Sequence, residues 1–391
     1  NAVDEVGQFD DSLTAPQPIF TSSTANNGPN KLGLHTPTIG LAMDTVNHRL
    51  FVTDTSNYRI LEYDLDSSNN LLDRIPDHVL GEANFYTRAS NTTQAGVNLP
   101  DGLSYDEINQ RLFVADTSNN RILIFDVTSI TDGENAINVL GQSSFTTTTA
   151  ATTQAGLNVP TGVYYDSARG YLFVAQNTGN RVTVFDVNTI TNGENAINVI
   201  GQPDFTTTTA ATTQAGMNIP YDVTYDTTNK ILFVSQDAGN RVTTYNLSTG
   251  ITNGQNATNV IGQSNFTNTA LGNTQTGLNA PRGIDYDNTH KILYVSQTTG
   301  NRVTTYNLSA GISDGMNAAN VIGQANFSTI TTGTTQSTLS GPTGVLIDEG
   351  NNRLYVEDST NRRITIYNAG SISNGMNAND ALGQTDNSLT S

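Results

Sequence analysis

Leu112-Phe113-Val114-Ala115-Asp116-Thr117-Ser118-Asn119-Asn120-Arg121-Ile122-Leu123-Ile124-Phe125-Asp126 reads as two short strands folded back on one another. Aliphatic and aromatic residues fill both arms, and the polar run between them carries the residue types that tight turns use. The same loop and arginine recur as DTSNYRI ending at Ile60, NTGNRV at Val182, DAGNRV at Val242, TTGNRV at Val303 and STNRRI at Ile364. The six arginines are Arg59, Arg121, Arg181, Arg241, Arg302 and Arg363, spaced 62, 60, 60, 61 and 61 residues apart. Self-similarity at a fixed period marks an architecture of repeated units.

Working outward, each copy has a strand before the hairpin that ends in aspartate: Asp44, Asp106, Asp166, Asp226, Asp287 and Asp348. Three positions earlier the residue is always aliphatic (Leu41, Leu103, Val163, Val223, Ile284, Val345), and the intervening alternation is that of a strand with one buried face. After a longer loop, TITNGENA in the third copy, comes a fourth strand such as Asn198 to Gln202. No segment carries a sustained helical stripe. The chain is therefore expected to be all-β, a six-bladed β-propeller with four antiparallel strands per blade.

Leu112 to Asp126, with Pro-x-Gly upstream at Pro100 to Gly102, resembles the NHL repeat, and the resemblance covers about residues 37 to 384. A GQxxF extension, as at Gly141 to Phe145, makes each copy longer than a minimal blade of that type. The resemblance implies that the six repeated arginines serve inter-blade structure. The expected organisation is an N-terminal outer-strand segment and connector over 1–36, then one propeller domain over 37–391. Its blades are expected at about 37–85, 100–145, 160–205, 220–266, 281–327 and 342–386.

With no cysteine, neither disulfides nor thiolate metal sites are available. The net charge of −18 opposes phosphate neutralisation and hence nucleic-acid binding. No run of apolar residues is long enough to span a membrane as a helix. A start at Asn1, few lysines and abundant Thr and Asn fit an extracellular or cell-surface protein. Asn-x-Ser/Thr triplets at Asn91, Asn246, Asn256, Asn265, Asn307 and Asn326 would permit glycosylation there.

The ends match one another. Val6-Gly7-Gln8 and the residues after it resemble Leu382-Gly383-Gln384 and its sequel, and PQPIF at Pro16 to Phe20 aligns with GQPDF at Gly201 to Phe205. Seven outer-strand candidates thus serve six blades. Ordinary ring closure is one use of the spare strand, and pairing with an exposed edge on a neighbouring copy is the other.

Catalytic signatures are few. The four histidines, His35, His48, His78 and His290, lack metal-ligand spacing, and neither a GxSxG elbow nor a phosphate loop is present. The repeated strand-end aspartates read as turn-forming residues. Function is expected where blades differ, at the channel mouth. One variable set is Ile39, Asp101, Thr161, Tyr221, Arg282 and Thr343; another is Ala42, Ser104, Tyr164, Thr224, Asp285 and Leu346. Asp222 replaces the usual glycine, and Glu357 stands where other blades have Ala, Ser or Thr. Asp101, Tyr221, Asp222, Arg282, Asp285 and Glu357 are the binding candidates.

The resulting expectation is a secreted or surface-displayed, non-catalytic scaffold without cofactor or metal. It binds protein or glycan, and copies of itself through its terminal strands. The alternative is a propeller hydrolase or lyase with a divalent cation on the axis, held by the channel carboxylates.

Overall fold

The computed structural model describes residues 29–31 and 33–383. In the first repeat, β1 (Leu41–Asp44), β2 (Arg49–Asp54), β3 (Arg59–Asp64) and β4 (His78–Leu80) form one antiparallel sheet in sequence order. The second repeat does the same with β5 (Pro100–Asp106), β6 (Arg111–Asp116), β7 (Arg121–Asp126) and β8 (Asn138–Leu140). The later sheets run from β9 (Pro160–Asp166) to β12 (Asn198–Ile200), from β13 (Pro220–Asp226) to β16 (Asn259–Ile261), from β17 (Pro281–Asp287) to β20 (Asn320–Ile322), and from β21 (Pro342–Asp348) to β24 (Asp380–Leu382). The fold is an all-β propeller of six four-stranded blades.

Middle strands such as Arg49–Asp54 are buried along their whole length, because each blade is covered on both faces by its neighbours. The core is accordingly six clusters, one per seam. Ile60, Leu80 and Phe51 of blade one pack with Leu112, Val114 and Val127 of blade two, and Leu34, Leu50 and Leu65 pack with Tyr355, Ile364 and Leu382 of blade six. The last cluster closes the ring. Leu382 pairs with Ile364 inside blade six and is fully buried, so the outermost strand of that blade comes from its own repeat. Gly383 lies against Leu34, whereas Val6, Gly7, Gln8 and Gln384 lie outside the described residues.

In blades two to six the innermost strand is longer than the alternation predicts, reaching back to the proline. A register shift separates that proline from the aliphatic position, as between Pro100 and Leu103. Proline sits at the strand start, where its missing donor costs no ladder bond. The residues after it bulge toward the next blade. A Cβ on Gly102 would lie 2.5 Å from the Thr161 carbonyl oxygen, which is why glycine stands there.

The arginines sit at the first position of each third strand. Arg121 is fully buried; its Nε donates to Asp116 (2.6 Å) and its Nη2 to the carbonyls of Thr93 (3.0 Å) and Gly96 (2.8 Å), while Nη1 reaches the Phe145 carbonyl. Thr93 and Gly96 lie in the connector before blade two, and Phe145 in the connector after it. One guanidinium thus fastens both. Arg59 repeats the pattern with Asp54, Asn30, Gly33 and Phe85. In blades three to five a glutamine replaces the aspartate, as in the Arg241–Gln236 contact, and burial pushes Arg181 down to about 10. Arg121→Ala is expected to cost about 3–5 kcal/mol at neutral pH, since it strands a buried carboxylate and three carbonyls; urea unfolding of the variant against the parent checks this.

Each hairpin loop turns through one left-handed residue. The left-handed residue is the one before the arginine, and the loop glycines Gly179, Gly239 and Gly300 are not left-handed. Asn120, Asn180, Asn240 and Asn301 hold that place, and each asparagine bonds both ends of the connector to the next blade: Asn120 donates to the Thr148 carbonyl (3.1 Å) and accepts from the Val159 amide (2.8 Å). Blade one has Tyr58 in the same conformation, at φ 57°. Tyr58→Asn should therefore stabilise the chain by about 1 kcal/mol, through relief of left-handed strain. A melting temperature at or below the parent's would refute that.

Candidate functional site

The innermost strands of adjacent blades run side by side around the channel, and their polar side chains cross from one blade to the next. Thr161 donates to the Tyr221 carbonyl (2.6 Å), Ser296 to the Thr343 carbonyl (2.6 Å), and Thr343 to the Pro37 carbonyl across the closing seam (3.3 Å). Ser104 accepts from the Tyr165 amide at 2.9 Å. The strand-end aspartates form turns as expected, Asp44 accepting from the Asn47 amide at 2.8 Å. Asp44 also takes a hydrogen bond from Tyr105 of blade two.

The channel candidates fall into two groups. Asp222 accepts from the Val223 amide (2.8 Å) and from the Ile284 amide of blade five (2.9 Å). Asp285, two positions further along its strand than the match of Asp222, accepts from the Tyr286 amide and from the Ile347 amide of blade six, both at 2.8 Å. Both carboxylates are thus committed to backbone donors at seams. Arg282 pairs with Asp237 (2.9 Å), with its guanidinium 4.7 Å from the Tyr221 ring centre. Asp101 and Glu357 differ: both are buried, and Asp101 Oδ1 and Glu357 Oε1 have no hydrogen-bond partner. Glu357 reaches Thr343 through its other oxygen at 3.4 Å.

The mouth therefore concentrates carboxyl groups in a dry environment. Burial pushes Asp222 up to about 8 and Asp285 to about 7. It also raises Asp101, and holds Glu357 well above the usual range, with Asp101 and Asp222 adding repulsion. A carboxyl raised in this way keeps its proton to higher pH than an exposed one, and the cluster can hold a proton or take a cation.

A second place of interest was not read from the sequence. In blades two to six the loop between the third and fourth strands covers the outer edge of the preceding blade. Val139 donates to Asn192 (3.1 Å) and accepts from the Gly193 amide (3.0 Å); Asp132-Gly133, Asn253-Gly254, Asp314-Gly315 and Asn374-Gly375 do the same for Val79, Val199, Val260 and Val321. An isoleucine of the same loop, such as Ile130 or Ile190, fills the seam behind it. Blade one has Leu71-Leu72-Asp73-Arg74-Ile75-Pro76 instead. Among the described residues, the edge of blade six is met by the Arg74 side chain, which donates to the Ala381 carbonyl (3.0 Å) and pairs with Asp380 (2.5 Å). The Ala381 amide turns to its own neighbour, Asp380 Oδ1, at 2.7 Å. Beside this edge lies a cleft of about 430 Å³ lined by Leu71, Arg353, Tyr355, Ile366, Asp380 and several asparagines. The [ST]-[DN]-G-x-N motif of five loops, missing in blade one, was the signal that could have pointed to it.

No family model matches the chain, and no curated protein matches it. Solved structures do. A chain of a nidogen/laminin complex is 17% identical with a TM-score of 0.46, over 73% of this chain and 79% of that one. A gluconolactonase from Xanthomonas campestris is 16% identical with a TM-score of 0.48, over 92% and 97%. The likeness is one of fold. The NHL-type resemblance accordingly rests on the repeat itself.

The raised carboxyls give a pH dependence. Each binds its proton more tightly in the folded chain than in the unfolded one, where carboxyls titrate near 4. Folding stability from these groups is therefore full below about pH 4 and falls as pH rises toward about 8. Asp222→Gly, which restores the residue that the five other blades carry, should flatten the decline between about pH 5 and pH 8. Melting temperatures across that range read it directly.

Proposed function

We propose that this chain is a non-catalytic propeller that acts outside the cell by binding, and that the outer edge of blade six is where it receives an extended strand. The observation that carries the reading is the edge at Ala381, which among the described residues is met by side chains where five other edges are covered by loop backbone. Strand addition to an edge gains affinity from main-chain hydrogen bonds and selectivity from neighbouring pockets, and the cleft beside Asp380 supplies such a pocket. The partner is a protein segment, and a second copy of the chain can provide it: Val6-Gly7-Gln8 matches the Leu382-Gly383-Gln384 sequence. A head-to-tail contact of this kind propagates into filaments. Commitment of Asp222 and Asp285 to backbone donors supports a structural use of much of the channel.

Electron microscopy of the full chain, of residues 21–391 and of Ala381→Pro tests this. Proline there removes the outward amide of the edge. Filaments in the parent that disperse in both variants are the expected result, and single rings in all three samples would overturn self-assembly.

A second reading has its own observation, the unpartnered oxygens of Asp101 and Glu357 at the channel mouth. A divalent cation held there would make the protein a hydrolase or lyase. Ester or lactone turnover that requires added metal and is lost in Asp101→Asn would favour it.

A further inference from the structure

Blade one carries an acidic cluster far from the channel, on its two outer strands. Glu62 lies on the third strand, opposite His78 on the fourth; Asp64 ends the third strand and Asp77 precedes the fourth. One carboxylate oxygen from each lies within 4.8 Å of the other two.

The three are knitted by backbone. The Asp77 amide donates to the Glu62 carbonyl (2.8 Å), and the Asp64 amide to Asp77 Oδ2 (2.9 Å). His78 turns away, with Nδ1 3.2 Å from Asp132. Arg49 is the nearby cation, but it binds Asp44 and the Val127 carbonyl.

Glu62 is the decisive member. It is only 1% exposed, yet neither of its carboxylate oxygens has a hydrogen-bond partner. A buried carboxylate without donors is costly unless something neutralises it. The other blades show that the position does not require an acid. The residues matching Glu62 and Asp77 are Ile124 and Ile137 in blade two, Val184 and Ile197 in blade three, and Thr244 and Thr258 in blade four. In blade four the two hydroxyls simply bond each other at 2.9 Å. Blade one has replaced both members of the pair by acids at once.

We propose that Glu62, Asp64 and Asp77 form a binding site for one hard divalent cation, with calcium the best match. The donors are all oxygen, which suits calcium or magnesium over zinc. Glu62 is a buried ligand at the floor, while Asp64 and Asp77 are exposed and leave room for water. Calcium tolerates that irregular, partly hydrated shell, whereas magnesium demands near-octahedral geometry. The ion would cross-link the third and fourth strands, stiffening the outer margin of blade one.

Isothermal titration of the full chain with calcium chloride, after chelator treatment, tests the proposal together with thermal unfolding. The parent should bind one ion by this site and melt higher in its presence. Glu62→Thr/Asp77→Thr, which copies the hydroxyl pair of blade four, should fold normally and lose that response. Asp64→Asn, the residue found at Asn246, Asn307 and Asn368, keeps the fold at an exposed position and should weaken binding by on the order of tenfold. Absence of both heat and melting shift in the parent would overturn the proposal and leave the acids sharing a proton. A calcium response that survives intact in the double variant and in Asp64→Asn would overturn it as well, by placing the ion elsewhere.

Discussion

A guanidinium buried at the root of each third strand turns a row of sheets into a ring. A blade alone exposes two apolar faces, and only correct spacing of its neighbours covers both. Spacing is set by the connectors, which are rich in threonine and have little apolar content of their own. Arg59 and Arg121 each bind the connector on either side of their blade through backbone carbonyls, so the strand that carries the arginine also fixes where the adjacent blades begin. Desolvation of the charge is offset by several carbonyls together with one aspartate or glutamine.

Around the axis the chemistry changes. Adjacent inner strands meet through side chains, and this assigns structural work to residues that look like site residues. Asp222 and Asp285 stand out by their rarity among the repeats, yet both bridge to an amide of the next blade. Asp101 and Glu357 retain unpartnered oxygens. The channel is therefore part joint and part pocket, and the two uses are separated by single residues.

The architecture was legible because it is written six times. Period, strand count and the turn role of the strand-end aspartates could be read from the alternation and the fixed arginine spacing. The bulge after each Pro was not, because it answers to a carbonyl from the next blade, as at Gly102 and Thr161. The turn loops were legible too, but not which of their Gly and Asn residues is left-handed, since Asn120 also bonds both ends of the connector to blade three, remote from it in sequence. Channel candidates were located by their differences among blades. Differences alone could not tell Asp222, occupied by amides, from Asp101, which has a free oxygen. Asp64 was read only beside Asp66, as a run that lacks the Gly and terminal Glu of a calcium loop; its cluster with Glu62 and Asp77 was not legible, because those two are 15 positions apart and meet only across the third and fourth strands.

The loops that cover the outer edges give the ring interchangeable joints. From the seam between blades one and two to that between blades five and six, every junction is made by the same loop meeting the same edge. A repeat inserted or deleted within that series would find a compatible surface before it and behind it, and the circle alone would limit the number. Among the described residues, the junction of blade six with blade one uses a different vocabulary of side chains, so neither of its halves matches another copy. Such a molecule can be lengthened or shortened by whole units in its interior, while its two outermost units remain matched to each other.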